Sequence, residues 1–104
     1  MSEHAYREVV DALRADPDVE ETKMMGMPSL KTRGKLFAGL HNDGLAVKVG
    51  RARAGELIEN GEAQPFDPSG RGRPMKDWAH IPQPGDNWLA LADEAKTNAV
   101  LESG

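Results

Sequence analysis

Two helical stripes of apolar residues enclose a run of strand-like alternation, and this order is the strongest constraint on the fold. The stripe near the N-terminus recurs at i, i+3, i+4 and i+7 and consists of Tyr6, Val9, Val10 and Leu13. The stripe near the C-terminus consists of Trp88, Leu91, Ala92, Ala95 and Ala99. Between them, residues 35–40 and 45–49 alternate around a turn made of Asn42, Asp43 and Gly44. The pattern predicts two terminal helices packed on an antiparallel hairpin.

The remaining segments extend this arrangement without a βαβ repeat. Residues 19–27 can be extended, residues 32–34 form a turn, and residues 51–60 fit a short helix that ends at Gly61. Residues 75–81 are predicted as a strand, and the last helix is predicted to start near Asp86. We therefore expect an α+β fold of two layers, an antiparallel sheet with the helices on one face. Its apolar surface is expected to come from Leu36, Ala38, Leu40, Leu45, Val47 and Val49.

Length and composition bound the class of protein. A chain of 104 residues fits one compact domain, so residues 1–104 are predicted to form a single domain. The chain has no cysteine, which excludes disulfides and cysteine-based metal sites and suits a reducing compartment. The N-terminal segment is acidic, and no stretch approaches eighteen consecutive apolar residues. We expect a cytoplasmic protein that does not enter a membrane.

Charge is distributed unevenly along the chain. The net charge is −4, but residues 23–53 carry +6 and residues 71–76 carry +3, while residues 1–22, 54–70 and 77–104 carry −5, −4 and −4. A globally acidic protein is repelled by polyphosphate unless its basic segments meet on one face. Nucleic-acid binding is therefore expected to be weak.

The segment with the most informative composition is the Arg/Gly loop, which we define as residues 70–76. Two glycines and three cations lie within it: Gly70, Arg71, Gly72, Arg73 and Lys76. Such a loop can turn backbone N–H groups outward beneath a positive field, so it is predicted to face an anion. It lacks the Gly-Lys-Ser/Thr ending of a phosphate-binding loop and precedes a strand. The alternative is an ordinary solvated turn.

Strand alternation adds a second candidate surface. It places Lys76, Trp78 and His80 on one strand face, and Lys35, Phe37 and Gly39 on a face of an earlier strand. If the two faces coincide, a basic aromatic surface results. Lys48 is predicted as a further binding residue. The alternative is that Trp78 and Phe37 fill the core or cover a dimer interface. The methionines, likewise, suit either core filling or an adaptable binding surface: Met24, Met25 and Met27.

Catalytic and metal-binding patterns are weak. The histidines are scattered, with no pair at i, i+4, so no metal site and no cofactor are expected. A triad of Ser69, His80 and either Asp67 or Asp77 can be written down. However, nothing resembles a nucleophile elbow, and Ser69 lies in a Pro/Gly turn. No catalytic residue is predicted, and we expect the protein not to be an enzyme.

Two sequence strings together resemble a known family. Residues 23–49, KMMGMPSLKTRGKLFAGLHNDGLAVKV, are similar to the front half shared by TfoX N-terminal domains and the related MmcQ/YjbR group. Residues 65–82, PFDPSGRGRPMKDWAHIP, resemble the second half of the TfoX type. The resemblance implies a secretion-chaperone-like architecture with the order α-β-β-β-α-β-β-α and one antiparallel sheet.

The resemblance also directs the functional expectation. The family's namesake regulates natural competence and carries a further C-terminal domain, so the resemblance implies a stand-alone TfoX N-terminal-like domain acting as a regulatory or interaction module. We expect a protein partner, or a homodimer, with the Arg/Gly loop and the adjoining basic strands as the contact surface. The alternatives are a weak nucleic-acid-binding regulator, or a small-anion binder or enzyme that uses the Arg/Gly loop as a clamp.

Overall fold

The structure is a computed structural model, and it describes residues 2–24, 26–68, 70, 72 and 74–103. Within that part of the chain the elements are α1 (Ser2–Leu13), β1 (Val19–Met24), β2 (Met27–Thr32), β3 (Lys35–His41), β4 (Gly44–Lys48), α2 (Arg51–Glu59), β5 (Gln64–Pro65), β6 (Trp78–Ile81) and α3 (Asn87–Ser103). Four residues singled out in the sequence lie outside the described residues: Met25, Ser69, Arg71 and Arg73.

The strands form one antiparallel sheet in the order β1-β2-β3-β4-β6-β5. All three helices contribute buried residues to one main core, which also takes the apolar rows of β3, β4 and β6. The predicted α+β fold with helices on one face is therefore confirmed. None of the helices in the described part of the chain is both long and apolar enough to cross a membrane.

The first extended segment is two strands and not one. β1 and β2 pair from Val19 opposite Thr32 to Met24 opposite Met27, so the chain reverses within residues 24–27. Gly26 has a φ of 81°, a conformation that glycine adopts without a steric penalty. The order is consequently α-β-β-β-β-α-β-β-α, with one more strand before α2 than the sequence predicted.

A bulge in β3 overturns the predicted alternation of that strand. Leu30 pairs with Ala38 and Lys31 with Leu36, so Phe37 has no direct partner on β2. An extra residue in one strand shifts the phase of its side chains. Phe37 and Ala38 are therefore both buried in the main core, while Leu36 packs against a second cluster on the opposite face.

The second cluster lies on the sheet face opposite the helices. Its buried members are Met27, Ala46, Phe66 and Trp78. Phe66 comes from the connection between β5 and β6, which contains the Arg/Gly loop. Because this side chain is only 1% exposed, it anchors that connection to the sheet.

Candidate interaction surface

The Arg/Gly loop is held in place by hydrogen bonds at both of its ends. The amide of Met75 donates to the carbonyl of Phe66 over 2.9 Å, which closes the base of the connection. At the far end, the carbonyl of Asp77 accepts from the amides of Val49 and Gly50, each at 3.1 Å. Since Gly50 directly precedes α2, these bonds fix the loop against the start of that helix.

The loop's own backbone donors face an internal carboxylate. Gly70 N–H donates to Asp67 Oδ1 over 3.1 Å, and Gly72 N–H donates to Asp67 Oδ2 over 2.8 Å. Both glycines have positive φ, 67° and 73°, as the sequence predicted for a glycine-dependent turn. These two N–H groups are therefore taken up by Asp67 within the chain, whereas the binding of a further anion or partner by the cations of the loop stays a prediction. The signal in the sequence was an aspartate three residues before a glycine, which is typical of side-chain-stabilised turns.

Aromatic contacts support the same connection from beneath. The Phe66 ring lies 5.2 Å from the His41 ring, 5.4 Å from the Trp78 ring and 6.2 Å from the His80 ring, measured between centroids. The contact between Phe66 and Trp78 stabilises beyond simple burial by about 0.5–1.5 kcal/mol. Phe66 therefore packs the connection against the sheet, and Asp67 holds the described glycines of the loop by hydrogen bonds.

The two histidines in this cluster are engaged internally. His80 Nε2–H donates to the carbonyl of His41 over 2.8 Å, and His41 Nδ1 lies 2.9 Å from Met27 Sδ. Gly44 makes room for this contact, since a Cβ there would lie 2.5 Å from His80 Nε2. Burial, and to a smaller extent His80, lowers the pKa of His41 below its ordinary value of about 6.5. His41 is therefore neutral near neutral pH.

The predicted basic aromatic surface does not form as a single face. Phe37 is fully buried in the main core. Lys35 pairs with Thr32, and Thr32 pairs with the core residue Val19, so Lys35 projects toward the helix side. Trp78 instead lies in the second cluster on the opposite face.

Lys48 forms an ion pair with α3. Its Nζ forms an ion pair with Glu102 of α3 over 3.2 Å, and its side chain is only 25% exposed. Of the residues predicted from the sequence, the structure therefore groups Lys76 and Trp78 with the Arg/Gly loop and separates Lys35, Phe37 and Lys48 from it.

A cleft between α2 and the Arg/Gly loop brings Lys76 and Trp78 together with residues that the sequence did not indicate. We call it the α2 cleft, and its volume is about 350 Å³. One wall is the outer side of α2, with Arg51, Gly55 and Ile58. The other wall consists of Pro65, Pro74, Met75, Lys76 and Trp78. Most of this lining is apolar, and a cation stands on each wall.

The cations of the α2 cleft have no acidic partner among the described residues. Neither Arg51 nor Lys76 forms an ion pair with a described carboxylate. By contrast, most other described cations are paired with acids: Arg7, Arg14, Arg33, Lys48, Arg53 and Lys96. Met75, which lines the same cleft, is 39% exposed, which is high for a large apolar side chain. The α2 cleft thus offers apolar contact next to free positive charge.

A larger concavity between α1 and α3 has the opposite charge. This groove, about 620 Å³ in volume, is lined on its polar side by Glu8 and Asp86, and its floor includes Val9, Trp88 and Leu89. An acidic rim repels an anionic ligand. Among the described residues, no three histidines or carboxylates lie close enough to hold a metal ion.

A family model covers most of the chain. The family model described as TfoX N-terminal domain matches residues 11–99, which is most of the chain. The protein therefore belongs to the TfoX N-terminal domain family. No curated protein and no solved structure matches it.

Proposed function

We propose that the protein is a non-catalytic interaction module of the cytoplasm, and that it binds an acidic protein partner through the Arg/Gly loop and the adjoining α2 cleft. The observation that carries this proposal is that Arg51 and Lys76, which have no acidic partner among the described residues, line the same cleft as the exposed Met75. Interfaces combine exposed apolar anchors with charge complementary to the partner. The sequence of the Arg/Gly loop contains two further cations, Arg71 and Arg73.

The chemistry of the lining supports binding over catalysis. None of the described residues that line the α2 cleft is a carboxylate, an imidazole or a hydroxyl, which are the usual general acids, bases and nucleophiles. Guanidinium groups stay protonated near neutral pH and so act as donors and not as bases. The nearby Asp67 and His80 make hydrogen bonds within the chain. These facts favour an interaction module over an enzyme.

Sheet-edge dimerisation is a weaker candidate. β1 is the first strand of the sheet and carries Glu20, Glu21 and Lys23, and charged side chains on an edge oppose pairing with a second copy. At the other edge, β5 is two residues long and contains Pro65, which has no N–H to donate. Both edges are thus poorly suited to strand addition.

The proposal is tested by affinity capture from a lysate of the source organism, compared between charge-matched variants. The test variant is Arg71→Ala/Arg73→Ala. The control is Lys23→Ala/Lys31→Ala, which removes two cations from β1 and β2 at the far side of the sheet. We expect one protein to be retained by the wild type and the control and lost from the test variant, while all three unfold at similar temperatures. Equal capture by both variants, or capture of nucleic acid alone, would refute the proposal.

A further inference from the structure

Gly55 lines the α2 cleft at a position where the fold has no need for glycine. It lies in the middle of α2, and a Cβ built on it meets no atom of the described residues within 4 Å. Glycine is a poorer helix former than alanine, because it loses more backbone freedom on folding. The helix therefore carries a destabilising residue for which the described part of the chain gives no packing reason.

The other described glycines differ from Gly55. Six have a positive φ, which favours glycine whatever the surroundings: Gly26, Gly34, Gly50, Gly61, Gly70 and Gly72. Three others have a neighbouring atom within 3.2 Å of an added Cβ: Gly39, Gly44 and Gly85. Gly55 has neither feature, and the space in front of it is the α2 cleft. A close approach by a group from outside the chain would favour a residue without a side chain at this position.

We propose that the α2 cleft binds a short, extended, acidic segment of a protein partner, whose backbone passes over Gly55. This proposal rests on the proposed interaction function and names the segment that the site takes. A carboxylate of the segment lies between Arg51 and Lys76, and an apolar side chain packs on Ile58, Met75 and Trp78.

The charge and size of the cleft both support this occupant. Arg51 offers a planar fork of donors that matches a carboxylate, and Lys76 adds a second positive charge from the opposite wall. A volume of about 350 Å³ is at the small end for ligand sites. An extended segment brings its backbone close to a wall that lacks a side chain at Gly55.

The test selects peptides from a random-peptide phage library on the immobilised wild-type protein. We expect the selected peptides to carry Asp or Glu next to Leu, Ile, Met or Phe. The Kd of the best peptide is then measured for Gly55→Ala, Gly55→Leu and Arg51→Ala. The matched control is Ala52→Gly, the reverse exchange at an exposed position of α2 outside the cleft lining.

Stability and binding are expected to change in opposite directions. Gly55→Ala should raise Tm by about 4 °C, because alanine is the better helix former. It should also raise the Kd of the peptide roughly 10-fold, because the added methyl group occupies space in the α2 cleft. Gly55→Leu should abolish binding of the peptide. Ala52→Gly should lower Tm and leave Kd unchanged. Arg51→Ala, and replacement of the peptide's acids by amides, should each raise Kd about 10-fold.

The outcomes separate this inference from the proposed function. If both Gly55 variants bind the selected peptide as the wild type does, or if the selected peptides lack acids, the inference is wrong. The same holds if a single-stranded oligonucleotide displaces the peptide. In those cases the proposed function still stands if Arg71→Ala/Arg73→Ala loses the partner protein. If the wild type selects no peptide and captures no protein, both proposals fail.

Discussion

Replacement of Asp67 by alanine tests whether this carboxylate organises the Arg/Gly loop. The change removes the hydrogen bonds that Asp67 accepts from the described amides of Gly70 and Gly72, without removing a cation. Hydrogen bonds to an ionised group contribute about 1.5–3 kcal/mol each, but both glycines are exposed, so we take about 1 kcal/mol for each bond. The ordered loop should then lose about 2 kcal/mol relative to other loop conformations.

The lower stability of the ordered loop is expected to raise the Kd for the partner. A change of about 2 kcal/mol lowers the population of the ordered loop roughly 30-fold relative to its alternatives. If the partner binds only the ordered loop, Kd rises by up to the same factor. Asp67→Asn keeps one acceptor oxygen and should raise Kd by only about 5-fold. The global free energy of unfolding should change little, because the rest of the sheet and its cluster remain.

Hydrogen exchange and titration with the partner provide the assay. We expect the amides of Gly70 and Gly72 to exchange faster in Asp67→Ala, and the Kd for the partner to rise. The control is Asp77→Ala, which makes the same charge change in the same connection; its carbonyl, which holds Val49 and Gly50, stays in place. Unchanged exchange at both glycines together with an unchanged Kd would refute the role assigned to Asp67.

Three further predictions concern stability, titration and nucleic acid. Val47→Asp should unfold the protein in circular dichroism, because an unpaired charge at a fully buried position costs several kcal/mol out of a total of about 5–15 kcal/mol; a cooperative native transition would contradict this. Burial raises the pKa of Tyr6, the one tyrosine of the chain, well above its ordinary value of about 10, so stability should fall as the pH rises above 10, where the unfolded state ionises; tyrosinate absorbance near pH 10 in the folded protein would contradict this. Duplex DNA should bind only with a Kd of roughly 10⁻⁴ to 10⁻⁶ M and with a steep salt dependence, and tight binding at physiological salt would contradict this.

The sequence predicted the fold through features that depend on local periodicity. The helical stripe at Tyr6 and Val9 and the turn at Asn42 and Asp43 each specify an element without reference to the rest of the chain. The bulge at Phe37 could not be predicted in this way, because it arises from the pairing of β3 with β2. The extra residue in β3 places the Phe37 side chain in the main core, on the face opposite to the predicted one.

The candidate site was predictable only in part, for a related reason. The composition of residues 70–76 indicated a basic, glycine-dependent loop, and Lys76 does stand at the α2 cleft. The contribution of Arg51 and Gly55 depends on where α2 lies relative to the loop, which is tertiary information. The internal use of Asp67 was open to sequence reasoning, since its spacing from Gly70 is a local pattern.

The two tryptophans allow the most direct test of the proposed binding surface. Trp78 lines the α2 cleft, whereas Trp88 is buried in the main core and lines the acidic groove between α1 and α3. Their indole N–H signals can be assigned with Trp78→Phe and followed by nuclear magnetic resonance during titration with the partner recovered by affinity capture. We expect the Trp78 signal to shift and the Trp88 signal to stay in place. A shift of Trp88 without a shift of Trp78 would place the partner on the opposite layer and contradict the proposed surface.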